Sequence, residues 1–140
     1  MSGKYFLDTN IFVYSFDSGA PAKREKALGL IREAVRAGAG VVSYQVVQEF
    51  FNVALRRFAE PMRVDDAQQY LTVVFRPLVA VESSLSLARH ALHLRSRFSL
   101  AWHDALIVAA ALEARCGVLY SEDLQHGLKV EGLCIENPFL

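Results

Sequence analysis

Between Leu100 and Leu112 the chain carries only two polar side chains, His103 and Asp104, and they stand next to each other. The other eleven residues of that stretch are apolar, and a helix that is apolar nearly all round belongs inside a protein rather than on its surface. Such a segment must be covered on every side, which asks for a sheet beneath it and further helices beside it. An ionised carboxylate in that setting is costly unless it is paired, hydrogen-bonded or bound to a cation. Asp104 therefore needs a cationic neighbour, and Arg95, Arg97 and Arg115 are the basic residues near it in sequence. A buried Arg–Asp pair is one way to satisfy it, and a metal ion is the other.

The rest of the chain supplies the covering layers. Short apolar runs at Tyr5-Phe6-Leu7, Val41-Val42, Leu78-Val79-Ala80-Val81, Val118-Leu119-Tyr120 and Leu133-Cys134-Ile135 read as strands. Helical patterns separate them. A short apolar turn runs from Asn10 to Phe16, a polar helix spans 22–37 and stops at Gly38, and Val46 through Phe58 recur at helical spacing behind a Ser43 cap. Further helices are expected over 65–75, from Ser83 or Ser84 to about Arg95, and from a Ser99 cap to Gly117. Strands without polar alternation, alternating with helices, indicate a parallel sheet covered on both faces, an α/β fold with three layers, α/β/α. With 140 residues, of which 53% are hydrophobic, the expectation is a single domain over 1–140 with an ample core.

In sheets of this kind ligands sit outside the carboxyl ends of the strands, so the residues that follow each strand are the candidates. Asp8 directly follows the first strand, where it, Thr9 or Asn10 can also cap the next helix. Asp123 follows the fourth strand in Ser121-Glu122-Asp123. Glu49 lies within two turns of the second strand, on the polar side of its helix with Gln45, Gln48, Asn52 and Arg56; periodicity alone makes it a solvated acid. Clustered carboxylates repel each other by about 4 kcal/mol per pair at ~4 Å and an effective dielectric near 20, so a hard divalent cation with oxygen ligands is what makes such a cluster tolerable.

Four segments, Phe6-Leu7-Asp8-Thr9-Asn10, Ser43 through Glu49, Trp102-His103-Asp104-Ala105-Leu106-Ile107 and Tyr120-Ser121-Glu122-Asp123, together resemble the PIN domain family, and in particular its small VapC-type toxin ribonucleases. The resemblance implies a Rossmann-like sheet of order 3-2-1-4-5. It implies that Asp8, Glu49, Asp104 and Asp123 are catalytic and hold Mg2+ or Mn2+, while Asn10 and Ser121 orient the site. It also implies an RNA substrate, a small antitoxin protein as partner, and a homodimer. Asn52 and Arg56 then border the site as substrate contacts. Many relatives have an aromatic residue directly before the helix acid; here His103 stands there, as a substrate contact at the rim or as a polar replacement. The other readings are an RNA-processing nuclease of the same family and a catalytically silent RNA- or protein-binding module, and the presence of all four acids weighs against the latter.

The 15 basic and 15 acidic residues cancel, which at first argues against a nucleic-acid binder. Setting the four candidate ligands aside leaves 15 bases against 11 acids, a formal +4, and 11 of the bases are Arg. Cys116 and Cys134 form no metal-binding or redox motif and read as reduced core residues. The N-terminal residues lack the apolar core of a signal peptide, and the run 105–112 is far short of the ~20 residues needed to cross a bilayer, so a cytoplasmic protein away from membranes is expected. No Gly-x-Ser-x-Gly elbow or Gly-rich phosphate loop is present, which sets aside serine hydrolases and nucleotide-binding loops.

Overall fold

The computed structural model describes residues 3–140. In chain order the elements are β1 (Tyr5–Leu7), α1 (Thr9–Tyr14), α2 (Pro21–Ala37), β2 (Gly40–Ser43), α3 (Tyr44–Ala54), α4 (Val64–Tyr70), α5 (Arg76–Leu78), β3 (Val79–Val81), α6 (Leu85–Phe98), α7 (Trp102–Glu113), β4 (Val118–Tyr120), β5 (Lys129–Val130) and β6 (Leu133–Glu136). The sheet order is β3-β2-β1-β4-β6-β5. All pairings are parallel except the β5–β6 hairpin. The expected order 3-2-1-4-5 is thus present, with β6 as its fifth strand. The two-residue β5 lies outside it and is too short to show as a hydrophobic run.

β1 holds the centre because both of its edges are paired, Phe6 with Val41 on one side and with Leu119 on the other. Phe6, Leu7, Val42, Leu119 and Ile135 are fully or almost fully buried, as befits strands covered on both faces. Gly40 opens β2 where no side chain fits: a Cβ there would stand 2.3 Å from the Cβ of Ala34 and 2.9 Å from its Cα. α2 ends where expected, at Gly38 with φ 71°, a left-handed turn that glycine adopts without strain.

Three local expectations are corrected. Ser99 does not open the long apolar helix; it closes α6 in a left-handed conformation, and α7 begins at Trp102 behind Ala101. α3 ends at Ala54, so Phe58 lies beyond it, in a cluster of rings with Phe16 and Phe50 that draws the following turns back onto α1 and α3. The segment expected as one helix over 65–75 is α4 followed by a π-helical turn, Leu71–Phe75. That turn delivers Phe75 against Phe12, 4.9 Å between ring centres, and α4 stacks Tyr70 on Phe50. Burial pushes the Tyr70 hydroxyl up to about 12, so it stays a neutral packing ring.

Cys116 is buried and Cys134 half-buried, both as free thiols. Among the described residues no helix is long and apolar enough to cross a membrane.

Candidate functional site

Four elements end or begin at one edge of the sheet: the ends of β1 and β4, the start of α7, and the second turn of α3. Asp8 follows β1 and is buried at 5% exposure. Its backbone N–H donates to the Tyr120 carbonyl at 3.0 Å, which ties it to the end of β4. One carboxylate oxygen, Oδ1, accepts from the Thr9 amide at 2.7 Å and caps α1; the other, Oδ2, accepts the Ser121 hydroxyl at 2.7 Å. The capping role and a site role thus fall on different oxygens of the same residue. Ser121 is wholly buried, and its Oγ also accepts from the Asp123 amide at 3.2 Å, so one hydroxyl sets Asp8 and the turn that carries Asp123.

Desolvation dominates the charge state of Asp8 and pushes its carboxyl up to about 7, against the opposing pull of the Ser121 and Thr9 bonds; the negative charges of Asp123 and Glu49 add to the rise. Asp104 is raised for the same reasons in the same order, burial first and then Asp123 and Glu49. Asp8 and Asp104 thus each feel the charges of Asp123 and Glu49. The sequence reading brought Asp8, Glu49, Asp104 and Asp123 together, and the structure places all four around this edge.

Two details differ from expectation. Asp104 is only half-buried, because it lies in the first turn of α7, where the helix emerges at the sheet edge; full burial begins at Ala105 and Ile107. It makes no ion pair with Arg95, Arg97 or Arg115, and Arg97 instead reaches Glu131. Glu49 is not a free solvated acid: its Oε1 accepts the Thr9 hydroxyl at 2.7 Å and its Oε2 accepts from Gln45 at 3.1 Å. Gln45 also donates to the His103 carbonyl at 3.1 Å, pinning α3 to the start of α7. Helix periodicity saw none of these tertiary contacts, which cross 40 and 58 residues of chain.

Glu122, next to Asp123, is turned away. It pairs with Lys23 and accepts the Tyr14 hydroxyl at 2.6 Å, and these partners hold its carboxyl below the usual range in spite of some burial. Asp123 is exposed and faces the other acids. The amide of Asn10, two residues after Asp8, is buried with neither its nitrogen nor its oxygen hydrogen-bonded. Asn52 is exposed on α3 and lines a cavity beside Glu49, and Arg56 is exposed in the turn after α3.

Among the described residues no three His, Cys, Asp or Glu side chains meet as a ready-made set of metal ligands. The donor chemistry nevertheless suits a hard cation: neighbouring carboxylates, two of them driven toward the neutral form by burial and by the negative charges of Asp123 and Glu49, together with the orphaned buried amide of Asn10. Mg2+ usually keeps several waters and takes only one or two protein carboxylates together with substrate phosphate oxygens, so a preassembled cage is not required.

The PIN domain family matches residues 5–127. Among the solved structures that share the fold are the following two. A toxin-antitoxin complex from Klebsiella pneumoniae is 20% identical with a TM-score of 0.68, covering 96% of this chain and 98% of the other. VapBC2 from Rickettsia felis, bound to a DNA fragment from its promoter, is 19% identical with a TM-score of 0.64, covering 95% and 97%. No curated protein matches significantly.

Proposed function

Because the chain belongs to the PIN domain family, a family of nucleases, we propose that it is a divalent-metal-dependent endoribonuclease and the toxin of a toxin–antitoxin pair. The observation that carries the nuclease reading is the gathering of Asp8, Glu49, Asp104 and Asp123 at the carboxyl edge of the sheet, where Asp8 and Asp104 each feel the charges of Asp123 and Glu49 and, among the described residues, neither forms a salt bridge. The toxin reading draws support from the two structural neighbours, both toxin–antitoxin complexes that match over nearly their full length. A small antitoxin protein is the corresponding partner, and a homodimer the corresponding assembly.

Asp8 and Asp104 are the residues that would hold Mg2+ or Mn2+, with Glu49 and Asp123 at the rim. When bound, the ion supplies charge neutralisation at the phosphate and acidifies water for in-line attack. The chain's own residues do the rest. Ser121 and Thr9 fix both oxygens of Asp8, so the carboxylate enters the reaction already oriented and loses little freedom when a ligand arrives. Thr9 and Gln45 hold Glu49 at the edge of the site. Asp123, exposed and on a turn anchored by Ser121, would orient the attacking water. Arg56 and Asn52 lie on the approach side, where cationic and amide groups engage the RNA strand. Attack by water on phosphorus leaves a 5′-phosphate and a 3′-hydroxyl.

The test is cleavage of RNA by the purified chain with Mg2+ or Mn2+, compared with EDTA-treated protein and with Asp8→Asn and Asp104→Asn. Cleavage that needs the metal and falls at least a hundredfold in both variants supports the reading; equal rates in the variants and the unsubstituted chain refute it.

A further inference from the structure

Beside the acids lies a cavity of about 500 Å³ between α3, the start of α6 and the start of α7, lined among others by Gln48, Asn52, Ser84, Trp102 and His103. Its volume falls within the range of small-ligand sites. Glu49 belongs to its wall as well as to the acidic cluster, so a phosphodiester seated at the carboxylates places a neighbouring nucleoside at the cavity mouth.

The lining says which part of a nucleotide fits. Glu49 is its only Asp, Glu, Lys or Arg, so apart from the His103 imidazole the cavity offers a phosphate no cationic side chain and sets a negative charge against one. What it does offer is neutral and directional. Gln45, Gln48 and Asn52 recur at i, i+3 and i+7 along one face of α3. Gln45 is committed to Glu49 and the His103 carbonyl, whereas the Gln48 and Asn52 side chains make no hydrogen bond to other described residues. An amide presents donors and an acceptor side by side, the complement of a base edge. Trp102 adds a half-buried indole to the wall, and aromatic rings take up nucleobases by stacking.

We propose that this cavity receives one unpaired nucleobase of the RNA, adjacent to the bond that is cut, stacked against Trp102 and read by Gln48 and Asn52. The assignment rests on the nuclease reading above. It makes the protein selective for nucleotides in single strands, loops or bulges, because a base stacked and paired inside an A-form helix cannot present its edge to the cavity.

Trp102 is the only tryptophan of the chain, so its fluorescence reports the cavity directly. The metal-free protein is titrated with the pentaribonucleotides of A, C, G and U and with an abasic ribose-phosphate chain of equal length. Quenching by at least one base-bearing pentamer, with none by the abasic chain, is the expected result. Asn52→Ala should weaken that pentamer's binding about fivefold or more. Equal responses to pentamer and abasic chain, or no response to any pentamer, overturn the proposal.

With Mg2+, an oligoribonucleotide carrying an abasic site on one side of the cut should be cleaved at least tenfold less efficiently than the intact one. Trp102→Ala should erase that difference mainly through KM, and Trp102→Phe should largely restore it. Metal-dependent cleavage that ignores the missing base removes the base site and leaves the nuclease standing; base-dependent quenching without cleavage does the reverse.

Discussion

The hydroxyl of Ser121 donates to Oδ2 of Asp8 at 2.7 Å across 113 residues of chain. This bond stabilises the ionised carboxylate against a burial cost that already lifts it to about 7. Ser121→Ala removes the largest downward influence on Asp8, so its proton is held to still higher pH. The acid limb of the metal-dependent pH–rate profile should move alkaline, and the rate at pH 7 should fall severalfold while recovering at pH 9. A profile that keeps its midpoint would show that Asp8 ionisation does not limit the reaction.

Asp8 also makes stability pH-dependent. Unfolded, it gives up its proton near 3.8; folded and metal-free, it keeps it until about 7. Between those values the folded state binds more protons, so this contribution to stability is intact below about pH 4, is lost as pH rises toward 7, and is flat above. Each unit of such a shift is worth about 1.4 kcal/mol. In EDTA, Asp8→Asn should therefore melt several degrees above the unsubstituted chain at pH 8, with the gap closing toward pH 4. Scanning calorimetry at a series of pH values measures it.

Asp104→Asn should stabilise the metal-free chain in the same direction but by less, because Asp104 is half-exposed and solvent screens its repulsion from Asp123 and Glu49. Millimolar Mn2+ should raise the melting temperature of the unsubstituted chain and leave both variants nearly unmoved, since ligand stabilisation follows the binding constant. A rise of equal size in all three proteins would place the ion elsewhere.

The neighbouring acids Glu122 and Asp123 should separate cleanly. Glu122 is held by Lys23 and Tyr14, and Asp123 faces the cluster. Glu122→Gln should keep RNA cleavage within about threefold, whereas Asp123→Asn should lose at least tenfold in kcat. The opposite order would reverse the assignment.

Gly40→Ala tests the packing at the amino-terminal end of β2, at the far end of the strands from the acids. The added methyl would stand 2.3 Å from the Ala34 Cβ, 2.9 Å from the Ala34 Cα and 3.1 Å from the Tyr5 ring. Overpacking of this kind costs about 1–3 kcal/mol, which denaturant titration would show as a lower midpoint at unchanged slope.

The layering was legible in the chain because buried parallel strands are short apolar runs, and Asp8 and Asp123 were legible because Asp8 follows one directly and Asp123 comes three residues after another. Asp104 stood out for a reason that proved half right. The apolar run marks a core helix, but its first turn projects from the sheet edge, and that lies in the tertiary arrangement rather than in the run. Glu49 shows the opposite failure: its helix marks it as solvated, and the Thr9 hydroxyl that holds it comes from another element altogether. β5 escaped because two residues carry no periodicity. The π-helical turn at 71–75 escaped because its cause is the ring packing of Phe75, which no local pattern announces.

The pairing of β1 with β4 also sets an order of events during synthesis. Asp8 leaves the ribosome long before Ser121 and Asp123, and at 5–20 residues per second the interval for 113 residues is roughly 6–23 s. Throughout it β1 lacks one of its two neighbours, and Asp8 lacks the Ser121 hydroxyl that holds its Oδ2. A chain interrupted before β4 would carry Asp8, Glu49 and Asp104 yet leave the edge of the sheet that gathers them unbuilt, so translation itself delays the moment at which the protein can act on anything.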